Sequence, residues 1–230
     1  MAKYEVVGEG KYLHREGDDN DTHLKLPSGV YETFLVDSPF GKTPLFREFK
    51  SVHDDLVDLP SAEYRQVLSE IDTFLDPKTE IKYNDMGFVY KRGVLLHGKP
   101  GTGKTCIINK VVQKVVKNKK GIVLFNPDVH ELSIILDSVS RTNPDSFIMV
   151  IFEEFETLGD SSTLLSLLDG EIQKDKVIYL ATTNYFERLP ERLIRPGRFA
   201  SLIEVKAPDR KCRRVYLKSK FGSKLGDLNN

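Results

Sequence analysis

Gly98-Lys99-Pro100-Gly101-Thr102-Gly103-Lys104-Thr105 fulfils the pattern G-x-x-x-x-G-K-[ST] and closes the apolar, strand-like run Val94-Leu95-Leu96. A strand, a glycine loop and a helix in that order bring backbone N–H groups and the positive end of a helix to one anion. Glycines at 98, 101 and 103 keep the approach free of side chains. Lys104 would set an ammonium between the outer phosphates, and the Thr105 hydroxyl suits Mg2+, which takes oxygen ligands. The pattern predicts a nucleotide site built from Gly98, Pro100, Gly101, Thr102, Gly103, Lys104, Thr105 and Cys106.

Downstream, Ile107, Ile108, Val111, Val112, Val115 and Val116 recur every three to four residues, so a helix with one core face follows the loop. From residue 93 on, short β-rich runs alternate with helical patterns: 93–96, 122–125, 147–152, 177–180 and 202–205. Five such runs predict a mostly parallel five-stranded sheet with helices on both faces, and ligands at the carboxyl ends of its strands. Upstream the texture changes. Residues 14–23 are dense in charge and predict a turn or disordered stretch, 30–36 and 44–49 predict a small β element, and 61–74 carries a helical apolar stripe started by Ser61.

Composition narrows the class. The chain has 230 residues with 34 Lys+Arg against 34 Asp+Glu, so its charge points to neither a nucleic-acid nor a membrane partner. Cys106 and Cys212 are too few for a disulfide framework or a zinc cluster and fit a reducing, cytoplasmic setting. The five histidines, at 14, 23, 53, 97 and 130, lack metal-ligand spacing. No apolar run is long enough for a membrane span.

Two further segments supply what a magnesium-nucleotide enzyme needs beside its loop. Ile148-Met149-Val150-Ile151-Phe152 delivers Glu153 and Glu154 at the end of an apolar strand. Glu153 is expected to hold Mg2+ through water and Glu154 to activate the attacking water. Val177 to Thr183 ends in Asn184, whose amide offers donor and acceptor together to a γ-phosphate and a nucleophilic water.

With Arg195-Pro196-Gly197-Arg198-Phe199 after these segments, the chain resembles, over about residues 60–217, the AAA branch of the AAA+ ATPases. The resemblance implies a P-loop NTPase fold, a three-layer αβα sandwich, with ATP and Mg2+ as cofactors and ATP hydrolysis as the reaction. Lys104 and Thr105 match the Walker A pair, Glu153 and Glu154 the Walker B acids, and Asn184 the first sensor. Arg195 and Arg198 match arginine fingers that reach a neighbour's site, which implies a homo-oligomer, a hexamer by the family's habit. Intramolecular ion pairs are the alternative for these arginines. Asp85-Met86-Gly87-Phe88 resembles a segment lining the adenine pocket. Glu153 stands where the family has Asp, and Pro127 to Leu132 lacks the aromatic-apolar-glycine loop of peptide-threading relatives. Here, in Tyr90-Lys91-Arg92-Gly93 and in Leu164 to Gly170, the chain looks like the Bcs-type AAA proteins.

The expected organisation is an N-terminal β-containing segment over 1–60, the ATPase domain over 61–207, and over 208–230 the start of a truncated helical lid. The expected function is ATP hydrolysis coupled to remodelling or translocation of a macromolecular client, with protein rather than nucleic acid as partner. A nucleotide-dependent scaffold that hydrolyses slowly and recruits a partner protein is the alternative.

Overall fold

The computed structural model describes residues 2–16, 25–39, 41–49, 57, 59–119, 121–158, 162–169, 175–195 and 197–222. Most of the charged stretch expected to be a turn or disordered, and the chain end after residue 222, lie outside them. Four strands come first: β1 (Ala2–Gly8), β2 (Lys11–Glu16), β3 (Gly29–Ser38) and β4 (Gly41–Glu48). Helices α1 (Ala62–Phe74) and α2 (Pro77–Asp85) lead into β5 (Lys91–His97), α3 (Lys104–Lys119), β6 (Ile122–Phe125), α4 (Leu132–Thr142), β7 (Ile148–Phe152), α5 (Ser162–Asp169), β8 (Val177–Thr183), β9 (Ser201–Glu204) and α6 (Arg210–Phe221).

The five expected parallel strands are present, in the order β6-β7-β8-β5-β9. The sheet does not stop there. β3 pairs parallel to β6, Gly29 opposite Ile122 and Tyr31 opposite Leu124, and carries β4, β2 and β1 with it, so the N-terminal strands extend the same sheet to nine. These added pairings are antiparallel, as short connections such as the β3–β4 turn require.

Period-two alternation along buried strands sorts their side chains onto two faces. Val94 and Leu96 of β5, Met149 and Ile151 of β7, and Ile178 and Leu180 of β8 pack against Val67, Ile71 and Phe74 of α1 and Ile108, Val111 and Val115 of α3. Leu95, Val150, Phe152, Tyr179 and Ala181 face the other way, onto Leu132, Ile135, Leu136 and Val139 of α4 and the leucines of α5. The result is a three-layer α/β/α sandwich whose apolar strands are covered on both sides. The N-terminal strands use the α4 side: Tyr4 and Phe46 meet edge to face at 5.2 Å, and the Tyr4 hydroxyl lies 3.1 Å from Ser138 Oγ. Burial pushes the Tyr4 hydroxyl up to about 12.

Helix starts follow local chemistry. Ser61 Oγ accepts the Tyr64 N–H at 3.2 Å, capping α1 as expected. Asp76 caps α2 through the Lys78 N–H at 3.0 Å, with Pro77 in the first turn; α2 buries no residue and so showed no apolar stripe to read.

Gly93, inside β5, allows a close backbone crossing. A Cβ there would collide with the Arg198 carbonyl, and the Ala200 N–H reaches the Gly93 carbonyl at 3.0 Å. Gly93→Ala is expected to destabilise the domain by about 2–3 kcal/mol, because backbone and not a flexible side chain must give way. Urea denaturation should show a lower midpoint at unchanged slope.

Candidate functional site

The carboxyl ends of β5, β6, β7 and β8 open on one cleft of about 520 Å3, lined by Pro100, Gly101, Gly103, Lys104, Thr105, Cys106, Asn126, Glu153, Glu154, Thr182 and Asn184. The structure therefore brings together the phosphate loop, both acids and Asn184. Gly101 (φ 79°) and Gly103 (φ 97°) adopt conformations that L side chains resist, which curls the loop so that its amides precede α3. Thr102 Oγ1 donates to the Lys99 carbonyl at 3.0 Å and fixes the loop's waist.

Lys104 is buried, and its Nζ donates to the carbonyls of Gly98 at 2.6 Å and Lys99 at 3.0 Å. Burial lowers the pKa of its ammonium from the ordinary value, and the Glu156 carboxylate pulls it back up. His97, the last residue of β5, has its pKa lowered by burial; Glu204 raises it and Lys104 lowers it further. Its ring lies 4.3 Å from that of Phe186, a packing position at the strand end.

β7 ends at Phe152, so Glu153 and Glu154 lie just beyond the strand, and simple alternation does not separate them. A left-handed turn does. Glu154 has φ 52°, a conformation that costs an L-residue about 1–2 kcal/mol. It is held by its N–H donating to Thr182 Oγ1 at 3.3 Å and by its carbonyl accepting from Thr157 N and Oγ1, both at 2.8 Å. The Glu153 N–H donates to Asn126 Oδ1 at 2.8 Å. Thr182, Asn126 and Glu156 are contributors the sequence reading missed, because each acts through a backbone contact across strand ends that no local pattern encodes.

Glu153 Oε1 is buried with no hydrogen-bond partner, and the Thr105 side chain is exposed at the mouth of α3. Hard oxygen donors beside a glycine cradle fit Mg2+ and a polyphosphate. Among the described residues there is no group of three or more His, Cys, Asp or Glu that could hold a metal ion.

Four expected site residues lie elsewhere. Asp85 closes α2, and Gly87 (φ 68°) forms the turn after it, its N–H bonded to the Asn84 carbonyl at 3.0 Å. Both precede the start of β5, so the length of that strand separates them from the loop at its far end. They do not line the cleft. Arg198 is held within the chain: Nε and Nη2 form a two-pronged pair with Asp169 at 2.5 and 2.6 Å, Nη1 bonds the Arg192 carbonyl, and its side chain is only 16% exposed. The ion-pair alternative thus describes Arg198 here. Arg195, two residues before Gly197, is exposed and has no side-chain partner among the described residues.

The Arg198 hydrogen bonds hold the Asp169 carboxyl below its ordinary value of 3.8. A depressed carboxylate stabilises the fold above its unfolded pKa, and the contribution vanishes as pH falls through the lowered folded value. Thermal midpoints of the wild type should therefore drop below about pH 4 more steeply than those of Asp169→Asn, the difference being small because the pair is partly solvated.

A glycine loop after a parallel strand, two acids after the third strand of the parallel set and a polar residue after the next define a P-loop nucleotide-binding domain. Residues 94–207 match the family described as ATPase family associated with various cellular activities (AAA). The chain is similar to an ATP-dependent zinc metalloprotease FtsH of Lancefieldella parvula, 31% identical over 179 residues, covering 67% of this chain and 27% of that protein. FtsH of Mycoplasma pneumoniae is 27% identical over 219 residues, covering 82% of this chain and 30% of its own. FtsH 3 of Sphaerobacter thermophilus is 30% identical over 180 residues, with 68% and 35% covered. The chain spans 27 to 35% of the length of these relatives. These matches support an AAA-type ATPase domain, with ATP as its ligand, Mg2+ as the usual partner ion and ATP hydrolysis as the reaction. No helix among the described residues is long and apolar enough to cross a membrane.

Proposed function

We propose that the chain works as a motor module in a homo-oligomeric ring, a hexamer by analogy with its family, and couples ATP hydrolysis to remodelling or translocation of a protein client. The observation that carries this reading is the split between a complete cleft and an exposed Arg195 outside it. Lys104, Thr105, Glu153, Glu154 and Asn184 share one cleft, while Arg195 faces solvent without a partner among the described residues. A guanidinium so placed suits the site of a second subunit.

Bound Mg-ATP supplies the phosphoryl group and the charge to be neutralised. When Mg-ATP is bound, Lys104 would exchange the Gly98 and Lys99 carbonyls for phosphate oxygens, and Thr105 and Glu153 would hold the cation, which would neutralise charge on the phosphates. Glu154 takes the proton of the attacking water, with its backbone fixed by Thr182, and Asn184 orients that water. Of what the relatives' names say, ATP dependence is the part this cleft supports. The Bcs-type likeness rests on the quoted residues at 90–93, 127–132 and 164–170, and with it a cytoplasmic setting and a folded rather than threaded client belong to this proposal.

A nucleotide-gated scaffold with slow hydrolysis is the second reading, favoured by the Arg198–Asp169 pair, which leaves one arginine of two for a neighbour. ATP turnover measured against protein concentration, with sizing by light scattering, separates them. Specific activity that rises with assembled mass supports the ring. Concentration-independent turnover by a monomer removes the shared site, and negligible turnover with firm nucleotide binding selects the scaffold.

A further inference from the structure

A third acid lies beside the cleft, bonded to the main chain of Asn184. The 3-10 turn Phe155–Leu158 follows directly on Glu154, and it folds Glu156 back toward the end of β8. Glu156 Oε1 accepts the backbone N–H of Asn184 at 3.2 Å, while Oε2 is buried without a hydrogen-bond partner. A buried carboxylate oxygen left unmatched is costly, so the arrangement needs an offset. The nearby Lys104 ammonium is one, since Glu156 is the group that opposes the effect of burial on it. The same turn is anchored on the Glu154 carbonyl through Thr157 N and Oγ1. Glu156 therefore links the main chain of Asn184 to the turn that begins at Glu154, a connection of three residues across two strand ends.

We propose that Glu156 is a positioning residue for hydrolysis, holding the Asn184 main chain in register with Glu154 so that the water-orienting amide and the water-activating carboxylate address the same point. This rests on the ATPase reading of the cleft. The role is geometric: it depends on the reach and acceptor oxygen of the side chain, and only secondarily on its charge. A residue that merely filled space would tolerate shortening and would affect binding and turnover together.

The test is steady-state ATPase and ADP affinity for the full chain and four variants. Glu156→Asp, which keeps the charge but draws the acceptor away from the amide, is expected to lower kcat about tenfold with ADP affinity within about twofold. Glu156→Gln, which keeps an acceptor at full reach, should recover most of the rate. Glu156→Asp combined with Asn184→Ala should be no slower than Asn184→Ala alone, as coupled residues require. Wild-type kcat in Glu156→Asp, a Glu156→Gln as slow as Glu156→Asp, or additive losses in the double variant would each overturn the proposal. The thermal midpoint of each variant separates misfolding from misplacement, and if Glu156→Asp fails to fold, a slow Glu156→Gln still overturns the proposal. No turnover in the wild type would instead sink the ATPase reading.

Discussion

Glu154→Gln is expected to bring ATP turnover down by about a hundredfold to ten-thousandfold, the span of a lost general base, while leaving nucleotide affinity intact. The substitution keeps volume and backbone preferences, so the left-handed turn at φ 52° and the Thr182 contact survive. Only the capacity to take a proton is removed. Lys104, the phosphate loop and Thr105 are untouched, so ATP should accumulate on the protein unhydrolysed. Phosphate release alongside calorimetric binding checks this. Turnover within tenfold of the wild type would show that Glu154 is not the base.

The second large effect concerns the two arginines, which the sequence treats alike and the structure separates. Arg195→Ala is expected to slow turnover about a thousandfold without changing ADP affinity, as removal of a finger does. Arg198→Ala should instead lower the thermal midpoint, because it leaves Asp169 and the Arg192 carbonyl without their donor. Mixing the inactive Arg195→Ala and Glu154→Gln proteins gives the decisive reading. If the arginine acts across an interface, mixed assemblies pair an intact Glu154 with a neighbour's intact Arg195, and activity reappears. A mixture as dead as its components would place Arg195 in its own subunit's site or outside catalysis.

What could be read from the sequence was what is written locally. The run into Gly98, the spacing of Ile107 to Val116 and the apolar strand before Glu153 each carry their signal within a dozen residues, and each is found where expected. β1 and β2 escaped notice because their residues mix charge with isolated apolar positions, as suits the outer strands of a sheet, and their partners lie far along the chain. α2 could have been found from Asp76-Pro77, a capping residue followed by proline, but not from its faces. Glu156 carries no local signal, since the amide it serves lies 28 residues on. Asp85 and Gly87 show the opposite failure, a short likeness without the topological check that strand direction supplies.

The parallel seam between β3 and β6 also bears on the protein's solubility. β6 has β7 on one flank and β3 on the other. Without the first four strands, the apolar run Ile122-Val123-Leu124 would present a bare row of amides and carbonyls, a template for pairing with any extended chain. The N-terminal strands thus act as a sheath, moving the sheet's margin out to β1, where Glu5 is exposed. A protein trimmed to the family-matched residues would be expected to lose solubility before it lost its nucleotide site.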